Sequence, residues 1–139
     1  MGNEKIEKEL EELVALIVET TPSGLINEIR LFGSYNNGNW DPEKSDIDIF
    51  VEINRKHREY ADHWNSNSYA GSSSVESNAL GKFKGEFKDR FQISVINDES
   101  MPFLLEYDRG RGPGLGKEMK SGRLLYQNLV NKPVEGFTI

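Results

Sequence analysis

Cysteine is absent from these 139 residues, which excludes disulfides and thiolate metal sites and agrees with a reducing compartment. No apolar run approaches the roughly 20 residues needed to span a bilayer, and the N-terminus reads as a charged helix, not a signal peptide. The expectation is a cytoplasmic protein with no membrane partner. Basic charge is also scarce: 17 Lys and Arg stand against 23 Asp and Glu, for a net charge of −6. Nucleic-acid affinity depends largely on phosphate neutralisation, so general binding to nucleic acid is not expected. No internal repeat or domain boundary is visible, and residues 1–139 read as a single domain large enough to bury a core without cross-links.

The charge that is present is unevenly spread. Residues 1–23 hold six Glu against two Lys, whereas 109–123 hold Arg109, Arg111, Lys117, Lys120 and Arg123 against Glu118 alone. The basic segment reads first as a solvated loop and second as a cationic rim for a polyphosphate or an acidic partner.

Ile6, Leu10, Leu13 and Ile17, with Val14 and Val18 beside them, fall at helical spacing, so 4–20 reads as an amphipathic helix stopped by Thr21-Pro22-Ser23-Gly24. Its apolar stripe belongs to a core or a dimer seam, which leaves a homodimer open. Asn27 to Phe32 reads as a strand entering a Gly33-Ser34 turn, and Tyr35 to Ser45 as a loop with one helical turn at its start. Ile47, Ile49, Val51 and Ile53 alternate with Asp46, Asp48, Phe50 and Glu52, the pattern of a strand with one core-facing side. Nine of the fourteen residues in 65–78 are Ser or Asn, which reads as a mobile surface loop. Leu80, Phe83 and Phe87 suggest a short helix, Phe91 to Ile96 a further strand, 109–117 a Gly/Arg-rich loop, and Lys117 to Leu125 a closing turn and strand.

Chemistry concentrates around Gly33 and Asp48. Two residues of strand advance about 7 Å and return to the same face, so Asp46 and Asp48 can share one hard cation or two neighbouring ones. Oxygen-only ligation with open positions suits Mg²⁺ (or Mn²⁺), which takes phosphate oxygens as remaining ligands. Gly33 lets backbone approach a phosphate without a β-carbon in the way. Ser34 adds a hydroxyl where the N–H groups of a following turn favour an anion. Each feature alone is common; an apolar strand, Gly-Ser, eleven residues and an apolar-flanked Asp-x-Asp in series is much rarer.

The series Leu31-Phe32-Gly33-Ser34-x₁₁-Asp46-Ile47-Asp48-Ile49 resembles the signature of the DNA polymerase beta-like nucleotidyltransferases, and the short chain is similar to their minimal members. The resemblance covers roughly residues 4–126. It implies an α/β fold: a small mixed, twisted β-sheet with helices packed on one face and the site at an open edge. It also implies transfer of a nucleoside monophosphate from a metal-bound nucleoside triphosphate, ATP first among the candidates. Gly33 and Ser34 would hold the triphosphate, and Asp46 and Asp48 the metals. The family usually carries a third carboxylate on the next strand; alignment puts Ser94 at that position, and a slip of two puts Gln92 there, so neither option is acidic. Glu52 lies ~13 Å along the strand from Asp48, too far to substitute, and Asp98 and Glu99 lie beyond the end of the third strand. The resemblance further suggests a small helical partner protein, the two forming a toxin–antitoxin pair. Two alternatives remain: a degenerate, non-catalytic nucleotide-binding or interaction module, and a drug-modifying adenylyltransferase. An RNA-tailing enzyme is disfavoured by the acidic charge.

Other motifs carry less. Gly112-Pro113-Gly114-Leu115-Gly116-Lys117 fails as a P-loop because its first glycine is out of register, Glu118 replaces the required Ser/Thr, and no apolar strand leads in. His57 and His63 stand six apart, which suits neither a helix nor a strand face. After Asp-x-Asp, Ile49-Phe50-Val51 does not continue a calcium loop, and the chain is short for a nucleotide-sugar glycosyltransferase.

Overall fold

The computed structural model describes residues 2–22, 24–41, 43, 45–54, 74–98 and 119–128. Residues 65–73, most of the Ser/Asn-rich stretch, and the Gly/Arg-rich stretch 109–117 lie outside them, as do His57 and His63.

Helix α1 (Gly2–Glu19) forms as the periodicity requires, with Ile6, Leu10, Leu13 and Ile17 fully buried along one face. It ends where Thr20 and Thr21 donate their hydroxyls to the carbonyls of Leu16 and Ile17, at 2.7 and 2.9 Å. Strand β1 (Ile26–Phe32) runs directly into the one-turn helix α2 (Gly33–Asn37), which Gly38 closes in the left-handed conformation. Strand β2 (Ile47–Ile53) follows. Helix α3 (Ser74–Lys82) leads through a 3₁₀ turn (Lys88–Arg90) into β3 (Phe91–Asn97), and β4 (Arg123–Gln127) comes last.

The four strands form one mixed sheet in the order β3-β2-β1-β4. β1 is antiparallel to β2 and β4, and β2 is parallel to β3. Helices α1 and α3 share a core with the odd-numbered side chains of the strands, from Ile29 and Leu31 through Ile47, Ile49, Val51 and Ile53 to Ile93 and Val95. No helix among the described residues is long and apolar enough to cross a membrane.

Two features differ from the sequence expectation. Helix α3 begins at Ser74, inside the stretch 65–78 read as loop. Serine and asparagine are indifferent helix formers, but Val75, Ala79 and Phe83 recur every fourth residue and are buried in the core, and this packing outweighs the composition. The second feature is that the carboxylate-bearing side of β2 is not wholly solvated. Phe50 is fully buried there in a second small core with Phe32, Ile96 and Met119. Only the start of the strand presents its acids.

Candidate active site

Register brings the turn and the acids together. Phe32, the last residue of β1, is paired with Asp48, so the chain enters Gly33 at the level of that carboxylate. Gly33 has φ +83°, a conformation side chains strain to adopt. It is also buried, and a β-carbon there would overlap Asp48 Oδ2, lying 3.1 Å from Cγ and 3.3 Å from Cβ of the same residue. The Asp48 carboxylate therefore occupies the room that Gly33 leaves. Ser34 follows half-buried in the first turn of α2, whose cap residue Phe32 makes no side-chain capping bond. The N–H groups of a first helical turn have no partner within the helix, which suits an anion held alongside.

Asp46 immediately precedes β2 and is half-buried. The loop before it is tied into a compact turn: Ser45 N–H donates to Asp41 O at 2.9 Å, and Asp41 N–H to Ser45 Oγ at 3.2 Å. Trp40 Nε1 donates to Ser45 O at 3.1 Å, and its ring meets Tyr35 edge-on, 5.4 Å between centroids. Arg90 reaches in from the 3₁₀ turn, its Nη2 donating to Asp41 O at 3.2 Å and also to Ser45 O, with its guanidinium carbon 5.4 Å from the centre of the Trp40 ring.

Sheet order corrects the expectation of a site at an open edge. β2 is an interior strand, flanked by β1 and β3, and the site lies at the strand's starting end. On β3, Gln92 stands level with Asp48 and Ser94 level with Phe50. Gln92 is exposed and Ser94 half-buried. The acids farther along are engaged elsewhere. Glu52 accepts from Lys120 Nζ at 2.8 Å and from Asn27 at 3.1 Å, and Asp98 accepts from the same Asn27 at 2.9 Å. Lys120 also bonds Glu28 at 2.9 Å, and Glu28 faces Glu52 across the β1–β2 ladder. No cluster of three or more His, Cys, Asp or Glu suited to a metal occurs among the described residues.

A cavity of about 310 Å³, lined by residues including Val18, Ile26, Tyr126 and Asn128, opens at the other end of β1 and is remote from these acids. The sequence reading missed Trp40, Ser45 and Arg90. A tryptophan within an Asn/Gly-rich loop and an arginine abutting an alternating strand were faint signals. Lys120, read as part of a solvated basic segment or a cationic rim, instead binds Glu52 and Glu28, 68 and 92 residues away.

The described residues form an α/β arrangement, a mixed sheet with helices against one face and two acids at the start of an inner strand. The chain belongs to the nucleotidyltransferase domain family, whose sequence model matches residues 4–121. A crystal structure of a Sulfolobus solfataricus protein, provisionally assigned as a nucleotidyltransferase, is similar with a TM-score of 0.43 and 18% identity, over 69% of this chain and 70% of that one. No curated protein matches the sequence.

Proposed function

We propose that this chain transfers a nucleoside monophosphate from a nucleoside triphosphate, ATP first among them, to a protein or small-molecule acceptor. The observation that carries this reading is the fit of the Asp48 carboxylate into the space left by Gly33, at the turn that Ser34 continues. Family membership supports a transferase with a nucleoside triphosphate as substrate.

The donor set suits a hard divalent cation, because the two carboxylates are oxygen ligands and the missing β-carbon at 33 leaves one of them its place. Asp46 and Asp48 would hold Mg²⁺ or Mn²⁺, which when bound supplies charge neutralisation at the phosphates. Gly33 gives the Asp48 carboxylate its place beside the turn, and Ser34 would offer the triphosphate a hydroxyl. In the transfer, the acceptor's nucleophilic atom bonds to the α-phosphorus, the bond from that phosphorus to the bridging oxygen breaks, and pyrophosphate leaves. Of the two candidate third-carboxylate positions, Ser94 is level with Phe50, and Gln92, the position on a slip of two, is level with Asp48. Neither side chain takes a proton at neutral pH. The acceptor best suited is one already nucleophilic, an amine or a phosphate, or one carrying its own carboxylate. A small helical protein paired with this one as toxin and antitoxin is the acceptor that the minimal members of the family suggest.

A second reading, a nucleotide-binding module without transfer, is favoured by the exposed amide of Gln92 beside Asp48. One experiment tests both: calorimetric titration of ATP and the other nucleoside triphosphates with and without Mg²⁺, for the wild type and for Asp46→Asn/Asp48→Asn, followed by label transfer from α-labelled nucleotide to candidate acceptors. The transferase reading expects metal-dependent binding that the double variant loses, and a labelled acceptor. Binding without label transfer favours the module; a wild type that binds no nucleotide sinks both.

A further inference from the structure

The peptide group that joins Ser45 to Asp46 is held at its oxygen by two donors from different parts of the chain, Arg90 Nη2 and Trp40 Nε1. A peptide unit is planar, so holding the Ser45 oxygen holds the plane from which Asp46 continues. The residue on the other side of Asp46 is held as well: Ile47 is level with Phe91 in the β2–β3 ladder, and Phe91 is the residue directly after Arg90. Residues 90 and 91 thus brace Asp46 from both sides. Arg90 does this with a rigid fork whose Nη2 serves both the Asp41 and the Ser45 carbonyls, while its guanidinium packs near the Trp40 ring. A lysine ammonium is a point donor on a flexible stem and lacks that planar geometry.

We infer that Arg90 is a positioning residue for Asp46, fixing through the Ser45 carbonyl the direction in which that carboxylate meets a divalent cation. The inference rests on the reading of Asp46 as a metal ligand. Residues that orient metal ligands typically carry 10- to 100-fold of metal affinity without touching the metal, and a purely structural arginine would not separate metal-dependent from metal-independent binding.

The test measures ATP affinity by calorimetry in EDTA and in excess Mn²⁺, for the wild type, Arg90→Ala, Arg90→Lys and Trp40→Phe, together with each variant's thermal midpoint. The ratio of the two affinities isolates the metal's contribution. Arg90→Ala is expected to lower that ratio by about 10-fold, with the EDTA affinity near that of the wild type. Arg90→Lys and Trp40→Phe, each removing part of the clamp, are expected to lower it by less, and they carry the test if Arg90→Ala does not fold. A ratio unchanged in every folded variant overturns the inference. So does a loss equal in EDTA and Mn²⁺ that tracks the thermal midpoint, because it marks Arg90 as a general stabiliser. Those results leave the nucleotide reading intact; a wild type that binds ATP under neither condition overturns that reading and this inference with it.

Discussion

The carboxylate of Asp48 crowds the place that a β-carbon of residue 33 would take, so Gly33 and Asp48 are a complementary pair just beyond the Phe32–Asp48 pair that ends the β1–β2 ladder. Gly33→Ala faces two costs. A non-glycine residue at φ +83° is strained by about 1–2 kcal/mol, and the new methyl displaces Asp48. The expected outcome is a folded protein with a lowered thermal midpoint and weakened metal-dependent ATP binding, checked by circular dichroism and calorimetry. Unimpaired Mg²⁺-dependent binding in Gly33→Ala would contradict the pairing.

Lys120 joins two buried glutamates that face each other, Glu28 and Glu52. Burial pushes the Glu28 carboxyl up, but its hydrogen bonds from Arg30 and Lys120 outweigh this and hold it below the usual carboxylate range. Burial likewise opposes the charge on Lys120, and its bonds to Glu52 and Glu28 hold its pKa above the usual value. A lowered carboxylate contributes stability that is present above 4.5 and lost as pH falls through its folded value. A raised lysine contributes stability that is present below 10.5 and lost as pH rises through its folded value. Lys120→Met is expected to cost about 1–3 kcal/mol at pH 7, the penalty for buried polar groups left without a partner. The deficit should shrink as pH falls below 4.5 through the folded value of Glu28. Urea unfolding of both proteins from neutral pH to well below 4.5 measures it; a pH-independent deficit would show that the network contributes only through packing.

Tyr35 donates its hydroxyl to Glu7 at 2.8 Å, and Arg123 Nη2 binds the same carboxylate at 2.8 Å. Burial and then the Glu7 charge push the Tyr35 hydroxyl up to about 12. Because the protonated form is favoured in the folded state, this contribution is complete below pH 10 and is lost as pH rises through about 12. Spectrophotometric titration should show one of the five tyrosines ionising late, and that step should vanish in Tyr35→Phe. Loss of the bond is expected to cost roughly 0.5–1.5 kcal/mol near neutral pH.

Glu9, buried on α1, accepts the backbone N–H groups of Glu86 and Phe87 at 3.0 and 2.8 Å and so ties the first helix to the turn that enters β3. Glu9→Ala leaves those donors unpaired, and a loss of about 1–3 kcal/mol in chemical denaturation is expected. Glu9→Gln, which keeps an acceptor oxygen, should lose less. Equal losses in the two variants would mean that packing, not the two N–H bonds, accounts for the effect.

What could be read along the chain was what depends on local periodicity. The spacing of Ile6, Leu10, Leu13 and Ile17 dictates a helix with one buried side, and the alternation through Ile47 to Ile53 dictates a strand, whatever surrounds them. The same alternation led to the expectation of Asp46 and Asp48 on one face; in the structure Asp46 stands just before β2 and Asp48 within it. Helix α3 was partly hidden because serine-rich composition masked the four-residue spacing of Val75, Ala79 and Phe83, and only burial against the core gives that spacing its weight. The second core around Phe50 was hidden for a related reason: Phe32, Ile96 and Met119 gather there from three distant segments.

The sequence by itself determined that a Gly-Ser turn and an Asp-Ile-Asp strand stand near each other, because the short loop between them leaves little freedom in how they meet. Only the tertiary structure decided which residue stands beside Asp48, what braces Asp46, and that Glu52 is committed to Lys120 and Asn27. Those outcomes depend on the parallel register of β2 and β3 and on contacts such as Arg90 with Ser45, 45 residues apart. Shifting a parallel strand by two residues preserves its pattern of buried and exposed faces, so periodicity alone could not choose between Gln92 and Ser94.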